Sequence, residues 1–223
     1  MALMHNSRPW LVLVVTAQDV LAGTALKAAL SVPAVDVVQL RLGQSQGSAH
    51  TTSALLDAMR ILPSMGEQLT KPPLYVVNTP IGLPDSTPRL DGWHYPERCL
   101  STLEGMLEQH GRGFFGVSVH AAASAETAAA LGASYIQVGT MFPTASHPEK
   151  TCVEGPELIR QVRQALPSAT LIGVGGITDA NCVDVLQAGA SGVAVIRAIL
   201  DADKPDVAAL KLRQALDVYQ PKT

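Results

Sequence analysis

The sequence predicts an α/β protein, a (β/α)8 TIM barrel that forms a single domain over residues 1–223. Short runs rich in Val, Ile and Leu alternate with Ala-rich helical stretches, which is typical of parallel strands joined by helices. The runs number eight, as in a barrel of this type. No linker, composition shift or internal repeat divides the chain. A doubly wound open sheet is the competing arrangement.

The eight apolar runs are the predicted strands, because each is short and rich in β-branched residues. They cover residues 11–17, 35–42, 73–79, 91–96, 114–120, 135–141, 170–177 and 192–200. The last run ends in the helix-prone segment 197–200, which we expect to form a short extra helix. Strand eight is therefore expected to lead directly into a helix.

Helices are predicted between most of the strands. They cover residues 20–31, 52–69, 100–110, 124–132, 155–166, 180–189 and 206–219. Ser124 and Asp179 are predicted to start two of them, and Gly132 and Gly189 to end the same two. The segment from Pro80 to Leu90 contains three prolines, so a Pro-rich loop is expected to replace the helix between strands three and four.

Charge and composition exclude several classes of protein. The net charge is −3 and no Lys/Arg cluster occurs, so nucleic acid is not expected as a partner. Three cysteines without CxxC spacing predict neither a disulfide framework nor a zinc site, and buried thiols fit a reducing compartment. No apolar segment approaches the ~20 residues of a membrane span. We therefore expect no membrane association and a cytoplasmic location.

Two glycines at the end of strand seven, Gly175 and Gly176, are candidates for a phosphate site. The neighbouring strand eight leads at once into the helix-prone segment 197–200. In barrels of this type these loops often hold a phosphate on backbone N–H groups, aided by the positive end of a helix dipole. The alternative is that the glycines only permit a tight turn.

Ser118 and His120 lie two residues apart at the carboxyl end of strand five, so they share one face of the strand. The other face is apolar, which predicts that both polar side chains point into the barrel mouth. An imidazole there can accept and deliver a proton near neutral pH. A structural histidine, hydrogen-bonded inside the barrel, is the alternative.

Five further polar residues are predicted near the same mouth. Gln39 and Arg41 share one face of strand two, where an arginine suits an anionic ligand or a solvated rim. Asn78 lies near the end of strand three, where its side chain either caps the strand or contacts a ligand. Thr144 and Ser146 lie in the polar loop after strand six, whose hydroxyls suit ligand binding or simple solvation.

Aromatic residues and sequence motifs add less. Trp93, His94 and Tyr95 in strand four fit either a pocket for an aromatic ring or a stacked core. No HExxH, GxSxG, Walker loop or pair of carboxylates at the strand ends occurs, so no metal site is predicted.

The order and spacing of several motifs resemble one known superfamily. The run GVSVH…GASYIQVGTMFPT…EG…LIGVGGIT…N…V…AGASGVAVIRAI over residues 116–199 resembles the thiamine phosphate synthase superfamily. The superfamily contains both the synthases and the TenI-like thiazole tautomerases. The resemblance is weaker over residues 35–41, 74–78 and 91–94.

The resemblance implies a (β/α)8 barrel that binds a thiazole phosphate at its mouth. It implies backbone contacts to the phosphate from Gly175, Gly176, Val195 and Ile196. It implies hydroxyl contacts to the ligand from Ser118, Thr144 and Ser146. It also implies a homodimer, because the proteins that this chain resembles are often dimers.

The chain departs from the synthase pattern where that pattern holds Mg²⁺ and a pyrimidine diphosphate. The synthases usually read QLREK in strand two, but here Leu42 and Gly43 follow Arg41. The acidic residues that follow strands three and four in synthases are replaced by Thr79 and by the segment 95–98. Mg²⁺ prefers carboxylate oxygens, and a threonine hydroxyl does not supply that charge. Of the replacing residues, Glu97 alone offers a carboxylate to a metal.

The TenI-like branch fits these residues better. It lacks the same acids and keeps a histidine at the end of strand five, which His120 matches. It isomerises a thiazole carboxylate phosphate to the aromatic form by moving a proton, without metal. Two departures remain, because Leu42 stands where both branches have Glu and Ala121 follows the histidine.

The sequence thus predicts an enzyme of thiamine biosynthesis, most simply a metal-independent isomerase of the thiazole tautomerase type. His120 is the predicted catalytic residue, and a phosphorylated thiazole is the predicted small-molecule partner. No cofactor is expected. The alternatives are a divergent thiamine phosphate synthase, a transferase that uses Mg²⁺, and a noncatalytic barrel that binds a thiazole or thiamine phosphate.

Overall fold

The structure is a closed barrel of parallel strands, which confirms the predicted (β/α)8 fold. The computed structural model describes residues 8–41, 49–78, 90–111, 113–144 and 153–219. The strands are β1 (Trp10–Thr16), β2 (Val37–Arg41), β3 (Leu74–Asn78), β4 (Gly92–Tyr95), β5 (Phe114–Val119), β6 (Tyr135–Gly139), β7 (Leu171–Val174) and β8 (Gly192–Val195). Each pairs with the next in parallel, and β8 pairs with β1 to close the barrel.

Helices follow most of the strands and pack around the barrel. The α-helices are α1 (Ala17–Ala22), α2 (Thr24–Ala29), α3 (Ala49–Ile61), α4 (Leu103–His110), α5 (Ala122–Ala130), α6 (Gly155–Ala165), α7 (Cys182–Gln187), α8 (Arg197–Leu200) and α9 (Pro205–Val218). Two 3₁₀ helices, Leu62–Gly66 and Glu97–Thr102, precede β3 and α4. In the ranges that the structure describes, no helix has both the length and the apolar character that a membrane span needs.

Several predicted boundaries are wrong. The predicted helix 20–31 is two helices, because Gly23 with φ of 74° separates them. The predicted helix 52–69 begins earlier, at residue 49, and its α-helical part ends at Ile61, where the 3₁₀ helix that contains Pro63 begins. The predicted strand 192–200 stops at Val195, and its last four residues form α8 as the extra helix. The expected Pro-rich loop lies outside the described residues.

Two predicted helix starts are also wrong, although the matching ends are confirmed. Helix α5 begins at Ala122, so Ser124 lies inside it. Helix α7 begins at Cys182, and the residue before it is Asn181, not the predicted Asp179. The Asn181 side chain accepts a hydrogen bond from the Thr178 N–H. Gly132 and Gly189 do follow these helices with positive φ, as predicted.

The strands have two apolar faces because parallel barrel strands are buried on both sides. Leu11, Leu13 and Val15 in β1 face outward into the main core beneath the helices. The alternate residues Trp10, Val12 and Val14 belong to a second cluster inside the barrel. A polar layer follows toward the carboxyl ends of the strands, where Gln39, His94 and Gln137 are buried. This layer forms the floor of the site described next.

Two of the three cysteines confirm the expectation of buried thiols. Cys99 and Cys182 are free and buried, and burial raises the pKa of both thiols. Cys152 lies outside the described residues.

Candidate active site

A cavity of about 400 Å³ opens at the carboxyl ends of the strands, where barrel enzymes carry their active sites. Nearly all of the predicted site residues line it. These are Gln39, Arg41, Asn78, Ser118, His120, Thr144, Gly175, Gly176, Val195 and Ile196. Ser146 lies outside the described residues. The two-residue spacing along β2 and β5 therefore predicted correctly which faces of those strands reach the mouth.

The glycine corner, Gly175 and Gly176, has a backbone that other residues rarely adopt. Their φ angles are 103° and 63°. A Cβ on Gly176 would lie 2.5 Å from the Pro143 carbonyl oxygen and 2.7 Å from that of Phe142. The Asn181 amide donates to the Gly176 carbonyl over 3.1 Å. The corner is therefore held tightly against the loop after β6, and its backbone lines the cavity without a covering side chain.

The first turn of α8 lies beside the glycine corner. Ile196, Arg197 and Ala198 line the cavity. The first N–H groups of any helix have no acceptor within the helix, so they are open to an external anion. Because β7 and β8 are neighbours, the glycine corner and this turn lie on the same side of the cavity.

His120 lies just beyond β5, at the rim of the cavity. Its Nδ1 is 2.6 Å from the carbonyl oxygen of Gly139. A carbonyl only accepts, so Nδ1 carries a proton and donates it. The remaining nitrogen, Nε2, is then the atom that exchanges a proton with a ligand. Half of the side chain is exposed, at 50%.

Glu154 is a site residue that sequence reasoning missed as a functional candidate. Its Oε1 lies 3.7 Å from Nδ1 of His120, and its Oε2 accepts from the backbone N–H of Thr140 over 2.5 Å. Glu154 thus links the backbone just after β6 to the imidazole of His120. The sequence contained one signal for Glu154, because Glu154 and Gly155 are the EG of the run that resembles the superfamily. The resemblance assigned no role to this pair.

Ser118 stands on a buried pair of rings beneath the cavity. His94 Nε2 lies 2.7 Å from Ser118 Oγ, and His94 Nδ1 lies 2.9 Å from the hydroxyl of Tyr135. The His94 and Tyr135 rings stack with centroids 5.5 Å apart. Strand four therefore does not form a pocket for an aromatic ring. Trp93 and Tyr95 pack in the outer core, while His94 faces the inside of the barrel.

Two arginines line the cavity, and only one of them was predicted. Arg41 ends β2, and burial lowers the pKa of its guanidinium, which the positive charge of Arg197 lowers further. Arg197 Nη1 lies 3.2 Å from Asp19 Oδ1, just beyond β1, so its guanidinium lies on the same side of the mouth as Arg41. The described residues that line the cavity include no Asp or Glu.

The described residues offer few side chains that could bind a metal ion together. Within residues 8–41, 49–78, 90–111, 113–144 and 153–219, no group of three His, Cys, Asp or Glu side chains could hold a metal ion. The described lining therefore does not fit Mg²⁺, which prefers several carboxylate oxygens in octahedral geometry.

A closed parallel barrel with a polar cavity at its carboxyl end defines a TIM-barrel protein with an enzyme-like pocket. The family model described as thiamine monophosphate synthase matches residues 11–199, and the chain belongs to that family. The structure of thiamine phosphate pyrophosphorylase from Pyrococcus furiosus is similar in fold, with a TM-score of 0.69 and 21% identity over 93% of this chain and 95% of that one.

Curated relatives are similar over part of their length. The thiamine-phosphate synthase of Geobacillus kaustophilus strain HTA426 is 39% identical over 109 residues, 49% of each chain. That of Listeria welshimeri serovar 6b is 45% identical over 114 residues, 51% of this chain and 55% of the relative. The match thus spans about half of these relatives.

Proposed function

We propose that the cavity binds a phosphorylated thiazole and that His120 moves a proton on its ring. One observation carries the proposal. The glycine corner, His120 and two arginines converge on a single cavity of about 400 Å³. Backbone N–H groups at the corner suit a phosphate, while the imidazole suits the ring that the phosphate anchors.

The contacts of His120 fit a proton carrier. With Nδ1 donating to the Gly139 carbonyl, Nε2 is free to take a proton from one ring position and return it to another. The ring electrons rearrange to the aromatic form and the composition of the ligand is unchanged. While the imidazole is charged, the nearby Glu154 carboxylate stabilises it.

The charge of the cavity favours a ligand with two anionic groups. Arg41 and Arg197 line the mouth on the side of β1 and β2, whereas the glycine corner follows β7. Arg197 is already paired with Asp19 and Asp201, each over 3.2 Å. A phosphate at the corner therefore leaves Arg41 as the arginine that a second anion would contact. A thiazole that carries both a carboxylate and a phosphate, the substrate of a tautomerase, meets this requirement without metal.

The second candidate is thiamine phosphate synthase activity, and the names of the curated relatives favour it. In that reaction a thiazole phosphate is coupled to a pyrimidine diphosphate, and the two arginines would hold the diphosphate. Mg²⁺, if bound, would neutralise the leaving group. The described lining offers it no carboxylate.

Two assays on the purified chain separate the candidates. In the first, a thiazole carboxylate phosphate is incubated with the protein in the presence of a chelator, and aromatisation is followed by absorbance. In the second, thiazole phosphate and pyrimidine diphosphate are incubated with and without Mg²⁺, and thiamine phosphate is measured. We expect turnover in the first assay. Turnover in the second alone, dependent on Mg²⁺, would replace the tautomerase with the synthase, and tight binding without turnover would leave a binding protein.

A further inference from the structure

A continuous chain of hydrogen bonds runs from the interior of the barrel to the cavity. It joins the Tyr135 hydroxyl, both nitrogens of His94 and Ser118 Oγ, over 2.9 and 2.7 Å. Tyr135 and His94 are buried, with 1% and 0% of their surface exposed, while Ser118 lines the cavity. Tyr135 and His94 therefore reach a ligand only through Ser118.

Gly116 makes this arrangement possible. His94, Gly116 and Tyr135 are register partners on β4, β5 and β6, so they lie side by side in one row of the barrel. Because Gly116 has no side chain, the two flanking rings meet above it. A Cβ there would lie 2.1 Å from Cζ of Tyr135. Ser118 follows two residues later on the same face and receives the other side of the imidazole.

Burial fixes the protonation state of both rings. It raises the pKa of the Tyr135 phenol far above its ordinary value, so the hydroxyl keeps its proton. It lowers the pKa of His94 to about 3, so the imidazole is neutral at physiological pH. A neutral imidazole has one N–H and one acceptor nitrogen, so only two arrangements of the protons exist.

The buried phenol decides between these arrangements. Its hydroxyl has His94 Nδ1 as its hydrogen-bond partner in the described part of the chain. A buried donor left without an acceptor is costly, so the phenol donates to Nδ1. The imidazole proton is then on Nε2 and is donated to Ser118 Oγ. Ser118 uses a lone pair for that contact, and its own O–H is directed to a partner in the cavity.

We infer that Tyr135 and His94 are positioning residues that hold Ser118 as a hydrogen-bond donor, so that the ligand atom at Ser118 is an acceptor. An unprotonated ring nitrogen or an oxygen atom with a lone pair meets this requirement, and a ligand N–H does not. The identity of the ligand rests on the proposed function, since a thiazole carries such a ring nitrogen. The orientation of the hydroxyl does not rest on it.

The direct test is the tautomer of His94, measured by long-range proton–nitrogen correlation on protein with ¹⁵N-labelled histidine. We expect one neutral ring protonated at Nε2 that does not titrate between pH 5 and 8. Its signals are assigned by their shifts in Ser118→Ala and Tyr135→Phe. A His94 ring protonated at Nδ1, or one that titrates in this range, overturns the inference.

Binding of thiazole phosphate gives an independent readout. Ser118→Ala is expected to weaken binding about tenfold, the usual effect of one lost hydrogen bond, and Ser118→Thr to restore it. Tyr135→Phe should weaken binding although Tyr135 does not line the cavity. Tyr95→Phe, which removes a buried hydroxyl from the outer core, is the matched control and should leave affinity unchanged.

The outcomes separate this inference from the proposed function. If wild-type protein does not bind thiazole phosphate, the proposed function fails while the tautomer measurement still decides the proton positions. If it binds and Tyr135→Phe has the affinity of wild type, the positioning role is wrong and the proposed function stands.

Discussion

Gly176→Ala is expected to weaken the binding of thiazole phosphate by at least about tenfold, because charge-assisted hydrogen bonds to the phosphate are lost. The added Cβ meets two backbone carbonyl oxygens at 2.5 and 2.7 Å, and neither belongs to a side chain that could swing away. The φ of 63° is unfavourable for alanine as well. The loop must shift, which moves the amides that we assign to the phosphate. Titration calorimetry with thiazole phosphate measures the effect.

Gly132→Ala is the matched control for this change. Gly132 also has a positive φ, 87°, but a Cβ there meets nothing within 4 Å, and it lies beyond α5, away from the cavity. Backbone strain of about 1 kcal/mol should lower Tm by about 2–4 °C without changing affinity. Equal affinity losses in the two variants, or none in Gly176→Ala, would show that the glycine corner does not hold the phosphate.

His120→Asn is expected to reduce turnover of the thiazole carboxylate phosphate by a factor of about 10² to 10⁴, the range typical of a lost general acid/base. The asparagine amide can still donate to the Gly139 carbonyl, so the local hydrogen bond survives. The side chain is half exposed, so little stability is lost. Steady-state kinetics should show the loss in kcat, with the affinity for thiazole phosphate nearly unchanged.

Glu154→Gln serves as the companion variant in the same assay. The glutamine oxygen can still accept from the Thr140 N–H, but the negative charge near His120 is gone. A smaller loss of kcat than in His120→Asn is therefore expected. Full activity in His120→Asn would remove the imidazole from the reaction, whatever the Glu154 variant does.

Local pattern was sufficient to predict the number and order of the strands and the faces that they present, although not every strand end. The period of two along β5 placed Ser118 and His120 on the inner face, and the structure confirms both at the cavity. The same rule worked for Gln39 and Arg41. Helix starts were predicted less well, since a capping signal such as Ser124 competes with packing that begins the helix two residues earlier.

The contacts that sequence reasoning missed depend on residues that are far apart in the chain. His94 and Ser118 are separated by 24 residues, and His94 and Tyr135 by 41. Glu154 reaches His120 from the segment before α6. No local pattern encodes such distances, because they follow from closure of the barrel and from the register of neighbouring strands. A buried histidine next to an inward-facing glycine becomes informative only once that register is known.

The most direct test of the proposed site is a crystal structure of the protein with bound thiazole phosphate. We expect the phosphate oxygens within hydrogen-bond distance of backbone N–H groups at Gly175, Gly176 and Ile196, and the thiazole ring beside His120 with an acceptor atom on Ser118. A phosphate held elsewhere in the cavity, with the glycine corner vacant or the ring remote from His120, would contradict the account.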